Sequence, residues 1–290
     1  MKNGNGKIKG YNANGKIKII TEYKNGEKHG KTKEYNYFGN LLFEGEYLKG
    51  KKHGKVKEYY ENYHDMGNLK FEGEYLNGEK NGKGKEYYKR KKLKYEGTYL
   101  NGKKNGKGKY YYEDGKLLYD GDYLNGLKWN GKIYDPDGNV TLILENGNGK
   151  GKTYQKRGAL KYEGEYINGK LNGQIKKYQS GNDYSLEFEG EYFNGKKNGK
   201  GKEYHPSIFE GEYLDGKRHG KGKQYDYYFN RYGSSNQIKM EFEGEYYLGK
   251  RKGFGKEYSY RGALIFEGEY LNDEKWNGKI YKDPYEGWID

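Results

Sequence analysis

Histidines, paired carboxylates, a Gly-Lys-Thr tripeptide and lysine runs are the residues of this 290-residue chain whose types could carry chemistry. Imidazole suits proton transfer or metal ligation near neutral pH, and the chain has five histidines. His29, His53 and His219, however, each precede a glycine at a slot that Asn81, Asn105 and Asn198 fill elsewhere. A residue that exchanges with Asn before Gly serves backbone turning. His64 and His205 stand alone in connecting segments. Gly-Lys-Thr occurs at Gly30-Lys31-Thr32 and Gly151-Lys152-Thr153. A phosphate-binding loop needs a further glycine five residues earlier and a helix afterwards. Asn25 and Asn146 occupy that place, and both segments read as strands.

The carboxylates come in pairs such as Glu44/Glu46, Glu189/Glu191 and Glu243/Glu245. Two carboxylates can hydrolyse a glycoside, but that work needs one pair whose acidities have been driven apart. Nine near-copies, none distinguished, read instead as charge ladders on a sheet face. The net charge of +14 points to an anionic partner. Its excess gathers at turns, and Lys51, Lys52, Lys103, Lys104, Lys196, Lys197, Arg251 and Lys252 are the candidate anion-binding residues. Edge lysines also keep strands from pairing wrongly. The absence of cysteine removes disulfides, zinc-thiolate sites and thiol catalysis. No catalytic residue, metal site or cofactor is expected, and the chain is expected not to be an enzyme.

The elements that position these residues follow from self-similarity. An aromatic-Glu-Gly-Glu-Tyr block, or a near copy, begins at Phe43, Phe71, Tyr95, Tyr119, Tyr162, Phe188, Phe209, Phe242 and Phe266, most often 24 residues apart. Worn copies at Ile19 to Tyr35 and Leu142 to Tyr154 bring the count to eleven. In the copy that begins at Phe71, Phe71 to Leu76 reads as a strand with Phe71, Gly73 and Tyr75 on one face and Glu72 and Glu74 on the other. Asn77 to Gly82 reads as turn chemistry and Lys83 to Tyr88 as the return strand. Glu72 and Glu74 would then face Lys83 and Lys85. The strand glycine would leave room for a neighbouring ring to lie flat. Hydrophobic residues make only 32% of the chain but aromatics 18%, a balance that suits a thin sheet rather than a thick core.

Aromatic-Glu-Gly-Glu-Tyr followed by Asn-Gly-Lys-Lys-Asn-Gly-Lys-Gly resembles the MORN (membrane occupation and recognition nexus) repeat, from about Ile19 to Tyr281. Tyr47, Tyr75 and Tyr99 stand where the family usually has Trp, and Lys-Glu-Tyr at Lys57-Glu58-Tyr59 is shifted by one place. That form is similar to the variant repeats of bacterial and protist proteins. The resemblance implies an all-β, elongated, twisted single-layer antiparallel sheet with an aromatic groove, and no chemistry.

The segment Lys128-Trp129-Asn130-Gly131-Lys132-Ile133-Tyr134 recurs as Lys275-Trp276-Asn277-Gly278-Lys279-Ile280-Tyr281, at an offset of 147. Read as insertions, these segments end two blocks, 1–138 and 139–290, with Trp288 capping the last strand. One sheet of about 22 strands is expected. Its groove would be lined by Phe43, Tyr47, Phe71, Tyr75, Tyr95, Tyr99, Tyr119, Tyr123, Tyr162, Tyr166, Phe188, Tyr192, Phe209, Tyr213, Phe242, Tyr246, Phe266 and Tyr270. The function expected is a cytoplasmic scaffold that holds a protein segment there, associated with cytoskeleton, cilium or membrane junction. A homodimer would also cover the rings. The alternative is attachment of the edge lysines to an anionic membrane, and nucleic acid is not the expected partner.

Overall fold

The computed structural model describes residues 4–61, 67–181, 185–205, 207–228 and 237–284, and every regular element among them is a strand. Trp288, His64 and parts of the longer connections at 61–70 and 226–241 lie outside the described residues. The first twelve strands are β1 (Gly6–Tyr11), β2 (Ile17–Lys24), β3 (Glu27–Tyr35), β4 (Leu41–Leu48), β5 (Lys51–Tyr59), β6 (Leu69–Leu76), β7 (Glu79–Tyr87), β8 (Leu93–Leu100), β9 (Lys103–Tyr111), β10 (Leu117–Leu124), β11 (Leu127–Tyr134) and β12 (Val140–Leu144). The next eleven are β13 (Gly149–Tyr154), β14 (Leu160–Ile167), β15 (Lys170–Tyr178), β16 (Leu186–Phe193), β17 (Lys196–Glu203), β18 (Ile208–Leu214), β19 (Lys217–Tyr228), β20 (Gln237–Tyr247), β21 (Lys250–Tyr258), β22 (Leu264–Leu271) and β23 (Glu274–Ile280).

Neighbours in sequence are neighbours in the sheet, but the single sheet expected is in fact two, of 12 and 11 strands. The ladder stops at the worn copy, where the Asn146-Gly147 turn closes a single bridge between Glu145 and Asn148. In regular copies the turn glycine donates to the carbonyl of a cationic residue one copy earlier, as Gly126 does to Lys104 at 2.8 Å. Gly147 donates instead to the Trp129 carbonyl at 2.7 Å, one residue beyond the Lys128 that fills the cationic slot. The ladder still passes from β11 to β12 in the regular register, Gly131 with Leu144 and Ile133 with Leu142, and ends there because the worn copy turns with only Glu145 between Leu144 and Asn146. Two compact units result: Met1–Gly149 with Thr153–Gly158, and Lys150–Lys152 with Ala159–Asp290.

The six residues expected as a turn divide into two devices. Asn77 (φ 53°) and Gly78 (φ 92°) form a two-residue turn with both φ positive, the geometry that matches strand twist. The return strand therefore begins at Glu79, four residues early. Gly82 (φ 85°) is then a bulge: Tyr75 pairs with Lys80 and Gly73 with Gly84, so Glu74 alone spans Asn81, Gly82 and Lys83. The Glu74 carboxylate occupies the space where a Cβ on Gly82 would stand. Glu72 faces Lys85 as expected, but the bulge takes Lys83 out of reach, and Glu74 finds Lys55 of the preceding copy as its register partner.

The Trp-bearing segments are deletions rather than insertions. Between the cationic slot and the next paired glycine a regular copy has three residues, Asn105-Gly106-Lys107. The Trp copies have two, Trp129-Asn130 and Trp276-Asn277, and lose the positive-φ bulge glycine.

The core is a chain of rings lying on glycine. A Cβ on Gly73 would meet the Gly84 Cα, the Lys83 carbonyl oxygen and Phe71 Cζ, each at 2.7 Å. Phe71 meets Tyr75 of its own copy and Tyr99 of the next edge to face, both at 5.8 Å between centroids. In the second unit Phe209 meets Tyr246, and Phe242 meets Tyr270, at 5.1 Å. Each such pair contributes about 0.5–1.5 kcal/mol beyond its buried area. In the first copy a pair of threonines replaces the glycines, and the buried Thr21 and Thr32 hydroxyls bond to each other at 2.6 Å.

Candidate functional site

The rings expected to line a groove are core. Phe71, Tyr95, Tyr119, Phe188, Phe209 and Phe242 are at most 1% exposed, and Tyr99, Tyr123, Tyr192, Tyr213, Tyr246, Phe266 and Tyr270 at most 8%. Phe43 is buried too, while Tyr47, Tyr75, Tyr162 and Tyr166 are half-buried. What covers them is polar. Lys80 lies 4.0 Å from the centre of the Phe71 ring, Lys104 3.9 Å from Tyr95, Lys52 4.6 Å from Phe43 and Lys197 4.3 Å from Phe188. Arg218 and Arg251 do the same for Phe209 and Phe242, at 4.1 and 4.3 Å. A long cationic stem buries its methylenes on a ring face while the ring attracts the charge.

A carboxylate six residues further on completes the layer: Glu58 for Lys52 at 2.5 Å, Glu86 for Lys80 at 3.2 Å, and Glu203 for Lys197. Tyr75 donates to Glu58 at 3.1 Å and Tyr270 to Glu257 at 2.8 Å. Glu86 collects three ammonium groups, Lys80, Lys94 and Lys104, within 3.5 Å. Burial opposes its charge, yet those three cations hold its carboxyl down at about 2. Burial also drives Lys104 down to about 8, against the pull of Glu86. Among the described residues, these cationic stems and carboxylates form a polar cover over the ring row of the regular copies.

Half of the candidate anion-binding residues are spent on this cover. Lys52, Lys104, Lys197 and Arg251 lie over rings, with side chains 16–30% exposed. Lys51, Lys103, Lys196 and Lys252 are exposed at the turns. Of these, Lys196 reaches Asp215 at 3.3 Å and Lys252 lies over the Tyr247 ring at 4.6 Å. The alternation of charge named the turn lysines, but the recurring Lys-to-Glu spacing of six was the legible sign that one lysine of each pair faces inward.

The concave surface lies on the opposite, Glu/Lys face. In the first unit a groove of about 1120 Å³ runs over Glu44 to Asp122, floored by Gly45, Gly73, Gly84, Gly97, Gly108 and Gly121. In the second a groove of about 1150 Å³ runs over the equivalent face from Lys150 to Lys256. Six acidic and six basic residues line the first groove. Seven of each line the second. Cross-strand pairs set their spacing: Lys33 to Glu44 at 2.8 Å, Lys109 to Asp120 at 3.4 Å, Lys256 to Glu267 at 3.2 Å. In several copies a tyrosine braces the carboxylate that follows the block's aromatic residue, as Tyr111 does Glu96 at 2.7 Å and Tyr258 does Glu243 at 2.8 Å. Burial first, and then the Glu243 charge, pushes the Tyr258 phenol up to about 12. In copies that keep the bulge glycine the second carboxylate sits on it, as Glu74 does on Gly82, so the two members of a pair have different structural duties.

The remaining candidates fall into that scheme. His53 and His219 sit in bulges opposite Glu46 and Glu212. Gly30-Lys31-Thr32 and Gly151-Lys152-Thr153 lie within β3 and β13. Among the described residues no group of three or more His, Asp or Glu side chains is placed to hold a metal ion.

No curated protein matches the sequence. Among solved structures, a chain of the Photorhabdus luminescens Tc holotoxin pore aligns with 91% of this chain and 17% of its own length, at 11% identity and a TM-score of 0.22. At that score the likeness supports nothing about fold or function. The MORN repeat family model matches residues 43–64, 71–90, 95–116, 162–174, 188–207, 209–226 and 242–263. Those stretches are the hairpins whose turn, bulge, glycine pair and stacked rings repeat along both sheets, and the chain is a MORN-repeat protein.

Proposed function

We propose that the chain is a non-enzymatic adaptor that holds an extended protein segment along the Glu/Lys face, within a larger cytoplasmic assembly. The charge balance of the two grooves carries this reading. A polyanion such as membrane or nucleic acid gains from a surface of one sign, whereas a lining of equal acids and bases suits a polypeptide with both charges. Seven copies also leave an aliphatic residue exposed on this face before the turn, Leu76 at 46% and Leu100 at 48% among them. The family to which the chain belongs is generally non-enzymatic, which agrees with this reading. Attachment of Lys51, Lys103, Lys196 and Lys252 to an anionic membrane has less to stand on, since their neighbours in sequence are engaged with rings.

The test is site-specific photocrosslinking in the source cells from a reactive residue at Lys83 (groove) and, separately, at Lys51 (edge), together with vesicle flotation. Protein adducts from position 83 and no flotation with phosphatidylserine vesicles at low salt are expected. Flotation that salt reverses, with no adduct at position 83, would replace this reading with the membrane one.

A further inference from the structure

The chain contains the same heptapeptide, Lys-Trp-Asn-Gly-Lys-Ile-Tyr, in two strands whose surroundings differ. Both follow the shortened bulge, and both pair with the preceding strand in the same register: Tyr119 with Ile133 and Gly121 with Gly131, Phe266 with Ile280 and Gly268 with Gly278. The copy in β11 has a strand on its other side. Strand β12, Val140-Thr141-Leu142-Ile143-Leu144, sets Leu142 opposite Ile133 and Leu144 opposite Gly131. The Trp129 carbonyl accepts from Gly147 at 2.7 Å, and Asn130 Oδ1 accepts from the Asn146 amide at 2.6 Å. Ile133, Leu142 and Leu144 are at most 2% exposed.

The copy in β23 has no such neighbour among the described residues. Ile280 is 81% and Trp276 71% exposed, and every residue of β23 is exposed. Burying an isoleucine to 1% in one copy and exposing it in the other is not a property of the heptapeptide. It reports an edge that no described residue covers beside the second copy. The regular repeat would put an aromatic-Glu-Gly-Glu-Tyr strand there. In β11 that place is taken, in the register of a regular copy, by an aliphatic strand whose turn closes on Trp129 and Asn130.

We infer that the outer edge of β23 is a strand-acceptor site, which a partner protein fills with an extended aliphatic segment of the β12 type, aliphatic at alternate positions and ending in Asn-Gly. Its backbone pairs with β23 antiparallel. An aliphatic side chain covers Ile280, and the Trp276 carbonyl and Asn277 side chain accept from the segment's terminal amides. Addition of a strand to an open edge gives affinity through the main chain and selectivity through alternate side chains. The site is separate from the Glu/Lys grooves, and its fate does not depend on theirs.

The experiment uses the full chain and a labelled synthetic peptide with the sequence of residues 138–147, Gly-Asn-Val-Thr-Leu-Ile-Leu-Glu-Asn-Gly, read by fluorescence anisotropy and by hydrogen exchange of β23. Expected are saturable binding, slowed exchange confined to β22–β23, and at least tenfold weaker binding to the Ile280→Asp variant with an unchanged melting temperature. A peptide with Asp at both positions equivalent to Leu142 and Leu144 should not bind. Equal binding to wild type and Ile280→Asp would overturn the inference, as would no binding at all. Binding only after removal of residues 285–290 would overturn it in favour of the chain's own C-terminal segment. Self-association abolished by Ile280→Asp, without peptide binding, would overturn it in favour of a second copy.

Discussion

At the scale of the residue, the most consequential group is Glu86, where three lysines meet beside buried rings. Glu86→Gln leaves those cations without their shared acceptor. The variant is expected to lose about 2–3 kcal/mol at neutral pH, less than a fully buried broken pair because the site is 18% exposed. Urea denaturation checks this. The sign of the acid limb follows from the direction of the shift. The carboxyl titrates near 2 when folded against 4.5 when unfolded. Its contribution is therefore complete above about 4.5 and fades as pH falls toward 2, and the wild-type minus variant stability difference should shrink across that window. Lys104 runs the other way. Its folded value of about 8 lies below the unfolded 10.5, so the folded chain releases its proton first and stability rises from pH 8 to 10.5. Lys104→Met should flatten that rise in the same titration, and an undiminished rise would contradict the burial of this ammonium.

At the scale of the element, two kinds of glycine have different reasons to exist, and substitution separates them. Gly102 (φ 75°) has open space where a Cβ would stand, so Gly102→Ala meets only the backbone penalty of about 1 kcal/mol. Gly73 has an ordinary φ, but its Cβ would collide at 2.7 Å with backbone atoms of the facing strand. Gly73→Ala is expected to destabilise by about 1–3 kcal/mol through overpacking, and thermal melts of the two variants should rank them in that order. The sequence displayed both glycines plainly and even separated their slots. It did not distinguish a six-residue turn from a two-residue turn followed by a bulge. Asn-Gly favours positive φ in either setting, and only the pairing of Tyr75 with Lys80 decides which Asn-Gly turns the chain.

At the scale of the whole molecule, each unit is a meander in which a copy touches only its neighbours, so stability should pass from copy to copy and fade with distance. Phe209→Ala removes a fully buried ring from the middle of the second unit. A local loss of about 3–5 kcal/mol is expected. Native-state hydrogen exchange should show its largest effect in β17 to β19 and a smaller one toward β14 and β22. A uniform loss across β14 to β23 would mean that the unit melts as one body.

Repetition by itself determined the all-β class, the hairpin unit, the family and the assignment of His29, His53, His219, the Glu pairs and both Gly-Lys-Thr tripeptides to structural slots. These follow from local periodicity and turn chemistry, which a sequence states directly. The number of sheets, the face that forms the groove and the fate of the lysines were decided only by tertiary structure. The first depends on where the worn copy turns, with only Glu145 between Leu144 and the Asn146-Gly147 turn, so that no full-length strand is left for β13 to pair with. The others depend on which side of the sheet is covered. An alternating strand has two faces, and the sequence marks them as aromatic and charged without saying which is hidden. Lysine stems lying on the rings, held there by a carboxylate six residues away, hide the aromatic one and leave the charged one exposed.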